Sequence, residues 1–207
     1  MITGLELTRT PVDALAAAAA VQGRAFFDDP AFTFTFADDA ERRRRLPWLM
    51  QVGIGCGLRF GHVDTTAGSM LGHAVWLRPG QTHVTPEMLE AMGFGEAEER
   101  LGEKALARFG AFIETGSEAH ERLMPRPHWY LMILGVDPPF QGRGVGSTLI
   151  TPTLARADAD GLPCYLETSK ERNLAFYGRH GFDVRHEADV VDGRDRLHVW
   201  MMVREPR

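Results

Sequence analysis

The chain has 207 residues, 44% of them hydrophobic and 25% charged, with a net charge of −5. That balance fits an ordinary globular protein, expected as one well-cored domain over residues 1–207, and it argues against general nucleic-acid or acidic-membrane binding. Cys56 and Cys164 form neither a disulfide framework nor a zinc pattern, so the expected compartment is the reducing cytoplasm.

Residues 5–9 read as a first strand. Thr10-Pro11-Val12-Asp13 is a helix start, with a hydroxyl N-cap, proline at the first helical position and a carboxylate in the first turn. This helix is expected to run to about Phe27 and to stop in Asp28-Asp29-Pro30. Its alanine-rich stretch, 14–21, follows Asp13, lacks a basic leader and is too short to span a bilayer, so export is not expected. Phe32, Phe34 and Phe36 alternate with threonines at period two, which puts three rings on one side of an extended segment.

A second helix is expected over about 39–52, with the arginine run 42–45 as a solvated face rather than a phosphate patch. Gly53, Gly55 and Gly57 read as the loose end of that helix entering a strand. Residues 58–64 and 69–78 are expected as antiparallel strands joined by Thr65-Thr66-Ala67-Gly68. Thr85-Pro86-Glu87 repeats the helix-start signal. Leu101, Ala105, Phe109 and Phe112 then recur at helical spacing, so about 86–124 is a helical insertion with one apolar stripe.

Residues 129–136 are apolar on both faces, as in a central strand covered on two sides, and Asp137-Pro138-Pro139 ends it. Gln141-Gly142-Arg143-Gly144-Val145-Gly146 follows and opens a helix reaching about Asp158. Strand, glycine-rich turn and helix start together aim free N–H groups and the positive end of a helix dipole at one point, an anion site built from backbone. It is not a Walker A loop, since no Gly-Lys-Ser/Thr follows. It also fails the dinucleotide fingerprint, because Ser147 stands where the third glycine belongs. A strand at 162–168 makes this a parallel pair with a right-handed helical crossover. Pro152 falls inside the crossover helix, where a lost hydrogen bond costs about 3 kcal/mol, so a kink or an offset helix is expected. Residues 182–191 and 197–204 flank Asp192-Gly193, a hairpin signal.

Gln-x-x-Gly-x-Gly has the spacing of the acyl-CoA pyrophosphate loop of the GNAT N-acetyltransferase superfamily. Downstream, Asn173-Leu174-Ala175-Phe176-Tyr177-Gly178-Arg179-His180-Gly181-Phe182 resembles the last motif of that superfamily, a short helix ending in Gly-Phe. From His128 onward the chain is most similar to the puromycin N-acetyltransferase branch, through Gln-Gly-Arg-Gly-Val-Gly-Ser at 141–147, Leu166-Glu167-Thr168-Ser169 and Arg172-Asn173-Leu174-x-Phe176-Tyr177. The N-terminal half is similar in plan but looser in sequence. The resemblance implies an α/β (α+β) GNAT fold: a mixed, mostly antiparallel sheet of about seven strands, helices on both faces and the insertion at 86–124.

It also implies acetyl-CoA as co-substrate, with no metal. Backbone N–H groups of Gly142, Arg143, Gly144, Val145 and Gly146 would hold the pyrophosphate, with Gln141, Arg143 and Ser147 at the same loop. The pantetheine arm would lie along Leu134, Gly135 and Val136, where the Val136 N–H polarises the thioester carbonyl. Tyr177, protonated at neutral pH, would contact the CoA sulfur and donate to it, and Asn173, one turn earlier, would be a helix N-cap or a CoA contact. A core aromatic is the alternative for Tyr177.

The general base is expected to be Glu167, at the end of the strand after the crossover helix; a structural carboxylate is the alternative. His73, His128 and His198 read as ordinary half-buried residues, and no set of His, Cys, Asp or Glu has metal-ligand spacing. By resemblance the segment 28–39 roofs the acceptor site. Phe32, Phe34 and Phe36, with Trp76, then either line a pocket for an aromatic or apolar amine or fill the core. The expected function is acetyl transfer from CoA to a primary amine of a small molecule, an antibiotic or metabolite, puromycin included. The alternatives are a protein or peptide N-acetyltransferase and a non-catalytic acyl-CoA-binding module. The insertion shapes the acceptor side or carries a dimer contact, and the protein is expected as monomer or homodimer.

Overall fold

The computed structural model describes Ile2 and residues 4–207. Seven strands, β1 (Leu7–Arg9), β2 (Gly61–Thr66), β3 (Gly72–Leu77), β4 (Trp129–Val136), β5 (Cys164–Thr168), β6 (Asp183–Asp192) and β7 (Asp195–Arg204), form one sheet in the order β1-β2-β3-β4-β5-β7-β6. Every neighbouring pair is antiparallel except β4 and β5. The helices are α1 (Leu15–Ala25), α2 (Pro30–Thr35), α3 (Asp39–Phe60), α4 (Pro86–Glu90), α5 (Ala97–Leu101), α6 (Glu103–Leu123), α7 (Val145–Ala159) and α8 (Arg172–Arg179). This is the GNAT fold expected from the sequence, with α4, α5 and α6 in the insertion. No helix among the described residues is long and apolar enough to cross a membrane.

Strand alternation sorts the core into two layers. Ala74, Trp76, Leu131, Cys164 and Leu166 face α7 and α8, where Leu149, Ile150, Leu154 and Tyr177 meet them. Val63 and Val75 face α1, α3 and α5, and Tyr165, Val199 and Met201 face α2 and α6. The Asp192–Asp195 pair closes a two-residue hairpin whose turn residues are Gly193 and Arg194, with Gly193 at φ 61° in the first turn position, so glycine, not the Asp-Gly pair, makes the turn.

Four local expectations are corrected. The phenylalanine segment is not extended: the Asp29 side chain accepts from the Ala31 N–H and Pro30 takes the first helical position, which starts α2. Phe32 and Phe36 therefore pack in one core layer and Phe34 in another. The glycines at 53, 55 and 57 do not loosen a helix end but lie inside α3. A Cβ on Gly53 would stand 2.7 Å from Ile133 Cδ1 and one on Gly57 2.3 Å from Val75 Cγ1, so the bare backbone lets α3 press on the sheet. Arg42 is not solvated; it is buried, donating to the carbonyls of Phe27 and Phe36 and to Asp39. Thr10 caps nothing, its buried hydroxyl has no partner, and a short 3-10 turn at Val12–Ala14 precedes α1. Pro152 is exposed, and α7 runs on through it.

Candidate active site

β4 and β5 pair at only two positions, Trp129 with Cys164 and Tyr130 with Tyr165. Beyond them β4 stays with β3 up to the Gly72–Val136 pair, while Leu166, Glu167 and Thr168 stay with β7. The β3–β4 register jumps from Ile133 to Leu131, leaving Met132 as an extra residue that bends β4. The two strands thus part in the middle of the sheet, and their facing edges are left without each other. The Asp137 N–H donates to Leu71 O at 2.8 Å, toward β3, so alternation turns the Val136 main chain toward the opening. The Val136 carbonyl accepts from Gln141 Nε2 at 2.9 Å, on that same side.

The glycine loop stands at the end of this opening. Gly142 (φ 70°) and Gly144 (φ 92°) hold the left-handed conformation that closes the turn into α7. No protein atom lies within 4 Å of a Cβ built on either, so backbone conformation, not crowding by the protein, selects glycine there. Thr148 N–H donates to Gly144 O. The N–H groups ahead of it, of Val145, Gly146 and Ser147, have no carbonyl within the helix to reach. An open cradle of this kind, with free N–H groups at a helix start, fits a pyrophosphate. Gln141 braces the loop on β4, Arg143 is exposed, and Ser147 Oγ lies 2.9 Å from His180 Nε2. Gly135 is turned to the α1 side, where its Cβ would meet Gln22 Oε1 at 2.0 Å, while Leu134 and Val136 pack on the α7 side.

Tyr177 lies on the α7 side of the sheet, its ring edge-on to Phe176 (5.1 Å) and Phe182 (5.9 Å). Burial, and then the Asp29 carboxylate, push its phenol above the ordinary range, so it keeps its proton. Asp29 is buried, accepting from the Ala31 N–H (3.0 Å) and Ser169 Oγ (2.6 Å), with Lys170 Nζ at 3.6 Å. Asn173 does not cap α8, since the chain enters that helix at Glu171; its Nδ2 donates to Thr168 Oγ1 at 3.2 Å and ties α8 to the tip of β5.

Glu167 lies on the opposite side of the sheet, as alternation from Leu166 demands. Burial pushes its carboxyl up to about 7, against the opposing pull of the Tyr130 and Tyr165 hydroxyls. The helix α6 lies over it without enclosing it, so the residue is half-buried: a Cβ on Gly116 would stand 3.6 Å from Glu167 Oε1. Two of the chain's three tyrosines, Tyr130 and Tyr165, stand where β4 and β5 part, and the third, Tyr177, lies on the α7 side of the sheet. Tyr130, Tyr165, Gly116 and Asp29 were not among the residues singled out from the sequence. The alternation that pairs Tyr130 with Tyr165 across two apolar strands was the available signal.

Phe32, Phe34 and Trp76 are not brought together. Each belongs to a different core cluster, and Trp76 is fully enclosed on the α7 side against Trp129. An open cleft of about 480 Å³ instead adjoins Asp29 at the tip of β5, lined by Asp28, Pro30, Lys170, Arg172 and Trp200 among others. His73 is enclosed under α1, hydrogen-bonded to Gln22, and burial pushes it down to about 4. His198 bonds Asp189 and Glu187 on the exposed hairpin. Among the described residues, no group of three or more His, Cys, Asp or Glu is placed to hold a metal ion.

Comparison with known proteins gives a consistent answer. An uncharacterized N-acetyltransferase of Schizosaccharomyces pombe is 25% identical over 195 residues, 91% of this chain and 78% of its own. A crystal structure of histone acetyltransferase HPA2 and related acetyltransferase from Corynebacterium glutamicum superposes with a TM-score of 0.70 at 22% identity, covering 99% of this chain and 98% of that one. Arylalkylamine N-acetyltransferase 2 from Aedes aegypti superposes with a TM-score of 0.69 at 15% identity, over 99% and 100% of the two chains. The profile of the acetyltransferase (GNAT) family matches residues 75–182, just over half of the chain. That span runs from β3 through the parted strands and the glycine loop to the end of α8, and the chain belongs to the acetyltransferase (GNAT) family and is an acyltransferase.

Proposed function

We propose that the protein transfers the acetyl group of acetyl-CoA to a primary amine of a small molecule, by direct attack of the amine on the thioester. The observation that carries this reading is the parting of β4 from β5, with a protonated phenol, Tyr177, on one side of the sheet and a carboxyl near neutrality, Glu167, on the other. Bound acetyl-CoA supplies the activated acetyl thioester. The N–H groups at 142–147 hold its pyrophosphate, Leu134 and Val136 flank the pantetheine arm, and the Val136 N–H donates to the carbonyl oxygen. Glu167 takes a proton from the acceptor ammonium, and Tyr177 Oη presents its own to the departing sulfur. Acid and base are thereby kept on opposite sides of one opening and do not neutralise each other.

A small acceptor is favoured over a peptide by the position of α6: the insertion lies over half-buried Glu167 at Gly116 and narrows the approach to the base. The arylalkylamine acceptor in the name of the Aedes aegypti protein is of the same class. The puromycin branch rests on the sequence motifs at 141–147 and 166–177, and puromycin belongs in the acceptor screen. A reducing cytoplasm suits the two buried free thiols, which burial pushes up to about 11 at Cys56 and about 12 at Cys164.

A thermal-shift titration with acetyl-CoA, CoA, ATP and NAD tests the co-substrate. Saturation at about 100 times Kd adds about 2.7 kcal/mol and raises Tm by several degrees for acetyl-CoA and CoA alone. A shift with none of them would remove the glycine loop from the site. Gly144→Val forces a β-branched residue to φ 92°, which strains the loop by about 1–3 kcal/mol and weakens CoA binding by about tenfold or more. Isothermal titration checks it, and unchanged affinity would mean that the loop does not hold the pyrophosphate.

A further inference from the structure

Behind Glu167 lies a group of aromatic and titratable side chains that the reaction above does not use. His120 is one turn after Gly116 on α6, as Tyr165 is two residues before Glu167 on β5, so the helix lays Gly116 over the carboxyl and His120 over the tyrosine. The His120 and Tyr165 rings stack at 4.0 Å with 12° between planes, and Tyr130 meets His120 edge-on at 4.8 Å. His120 Nε2 lies 2.6 Å from His128 Nε2, and His128 Nδ1 2.6 Å from the Arg126 carbonyl. That carbonyl only accepts, so His128 Nδ1 carries the proton, its Nε2 accepts, and His120 Nε2 donates. Burial disfavours a charge on either ring, so both imidazoles are neutral and that donor order holds, and a chain of contacts runs from the Arg126 backbone through His128 and His120 to the ring beside Glu167.

We propose that His120, anchored by His128, is a positioning residue for Glu167: it clamps Tyr165 and Tyr130 beside the half-buried carboxyl and limits the water on that side of it. This rests on Glu167 being the general base. The titratable groups that face His120 are His83 from the loop before α4, His128 ahead of β4, Tyr130 on β4 and Tyr165 on β5, while Arg126 acts on His128. Burial, followed by His128 and His83, pushes His120 down to about 3, so it adds no positive charge near the carboxyl at working pH. Tyr165 Oη has no hydrogen bond of good geometry, so the ring is held by packing and not by its hydroxyl. Removing the stacked imidazole frees that ring and lets more water reach the carboxyl, which then ionises at lower pH.

The experiment is the pH profile of kcat/KM for the wild type, Glu167→Gln, His120→Ala, His120→Phe and His128→Asn, each with its CoA affinity. His120→Ala should move the acid limb down by about one pH unit or more, with CoA affinity kept. His120→Phe restores the stacked ring and should return the limb to its wild-type position. An acid limb unmoved in His120→Ala, whatever the loss of rate, makes His120 merely structural and overturns the proposal. Where that variant does not fold, His128→Asn keeps a donor for Arg126 but releases His120, and must move the limb in the same direction for the proposal to stand. A limb near 7 that survives in Glu167→Gln, apart from the acceptor amine's own titration at higher pH, would instead defeat the general-base reading, and the positioning role with it.

Discussion

Tyr177→Phe lowers kcat by about 10- to 1,000-fold and leaves CoA affinity within about twofold. The hydroxyl is the only group removed, and the ring keeps its contacts with Phe176 and Phe182, so folding and CoA binding do not depend on it. The loss falls on kcat because the proton is needed only as the thiolate leaves. Burial and the Asp29 carboxylate hold the phenol above its usual range, so Tyr177 contributes no falling limb to the wild-type profile below about pH 10. Steady-state kinetics with a saturating acceptor decide it. Wild-type turnover in the variant would leave Tyr177 as a core aromatic and pass the sulfur's proton to water.

Much of this site was legible in the sequence because local rules decide it. A turn with two left-handed positions needs Gly142 and Gly144, and a strand covered on both faces must read as the unbroken apolar run of β4. The Tyr177 helix and the hairpin at Gly193 are local in the same sense. What was missed depends on partners distant in sequence. Gly53 and Gly57 look like a helix end, but Ile133 and Val75 make their bare backbone necessary. In α2 the local signal has two meanings: Asp29-Pro30 stops α1 and is also the cap that starts the next helix, which overrides the period-two phenylalanines. Glu167 was named from its place on β5. Its environment comes from β4, β5 and α6 together, and no window of sequence contains all three.

Glu167→Gln should act on activity and stability in opposite directions. As base, Glu167 must be ionised, so wild-type kcat/KM falls about tenfold per unit as pH drops below about 7, the value to which burial pushes the carboxyl. In the glutamine variant the limb near 7 is absent, only the acceptor amine's own titration at higher pH remains, and the rate above pH 7 falls by about 100- to 10,000-fold. For stability, the folded value stands above the ordinary 4.5, so between about 4.5 and 7 the folded state binds more protons than the unfolded chain. Wild-type stability therefore declines as pH rises through that window, by at most about 3 kcal/mol, and the whole loss is present above it. Glutamine does not titrate, so the variant should melt higher than the wild type at pH 8, and the difference should close by pH 5. Melting curves across pH measure this without any acceptor. A variant that is both less active and less stable at pH 8 would make Glu167 a structural carboxylate. One that is nearly inactive yet more stable identifies a carboxylate kept half-buried for its chemistry, since nothing in the packing then requires it to be charged.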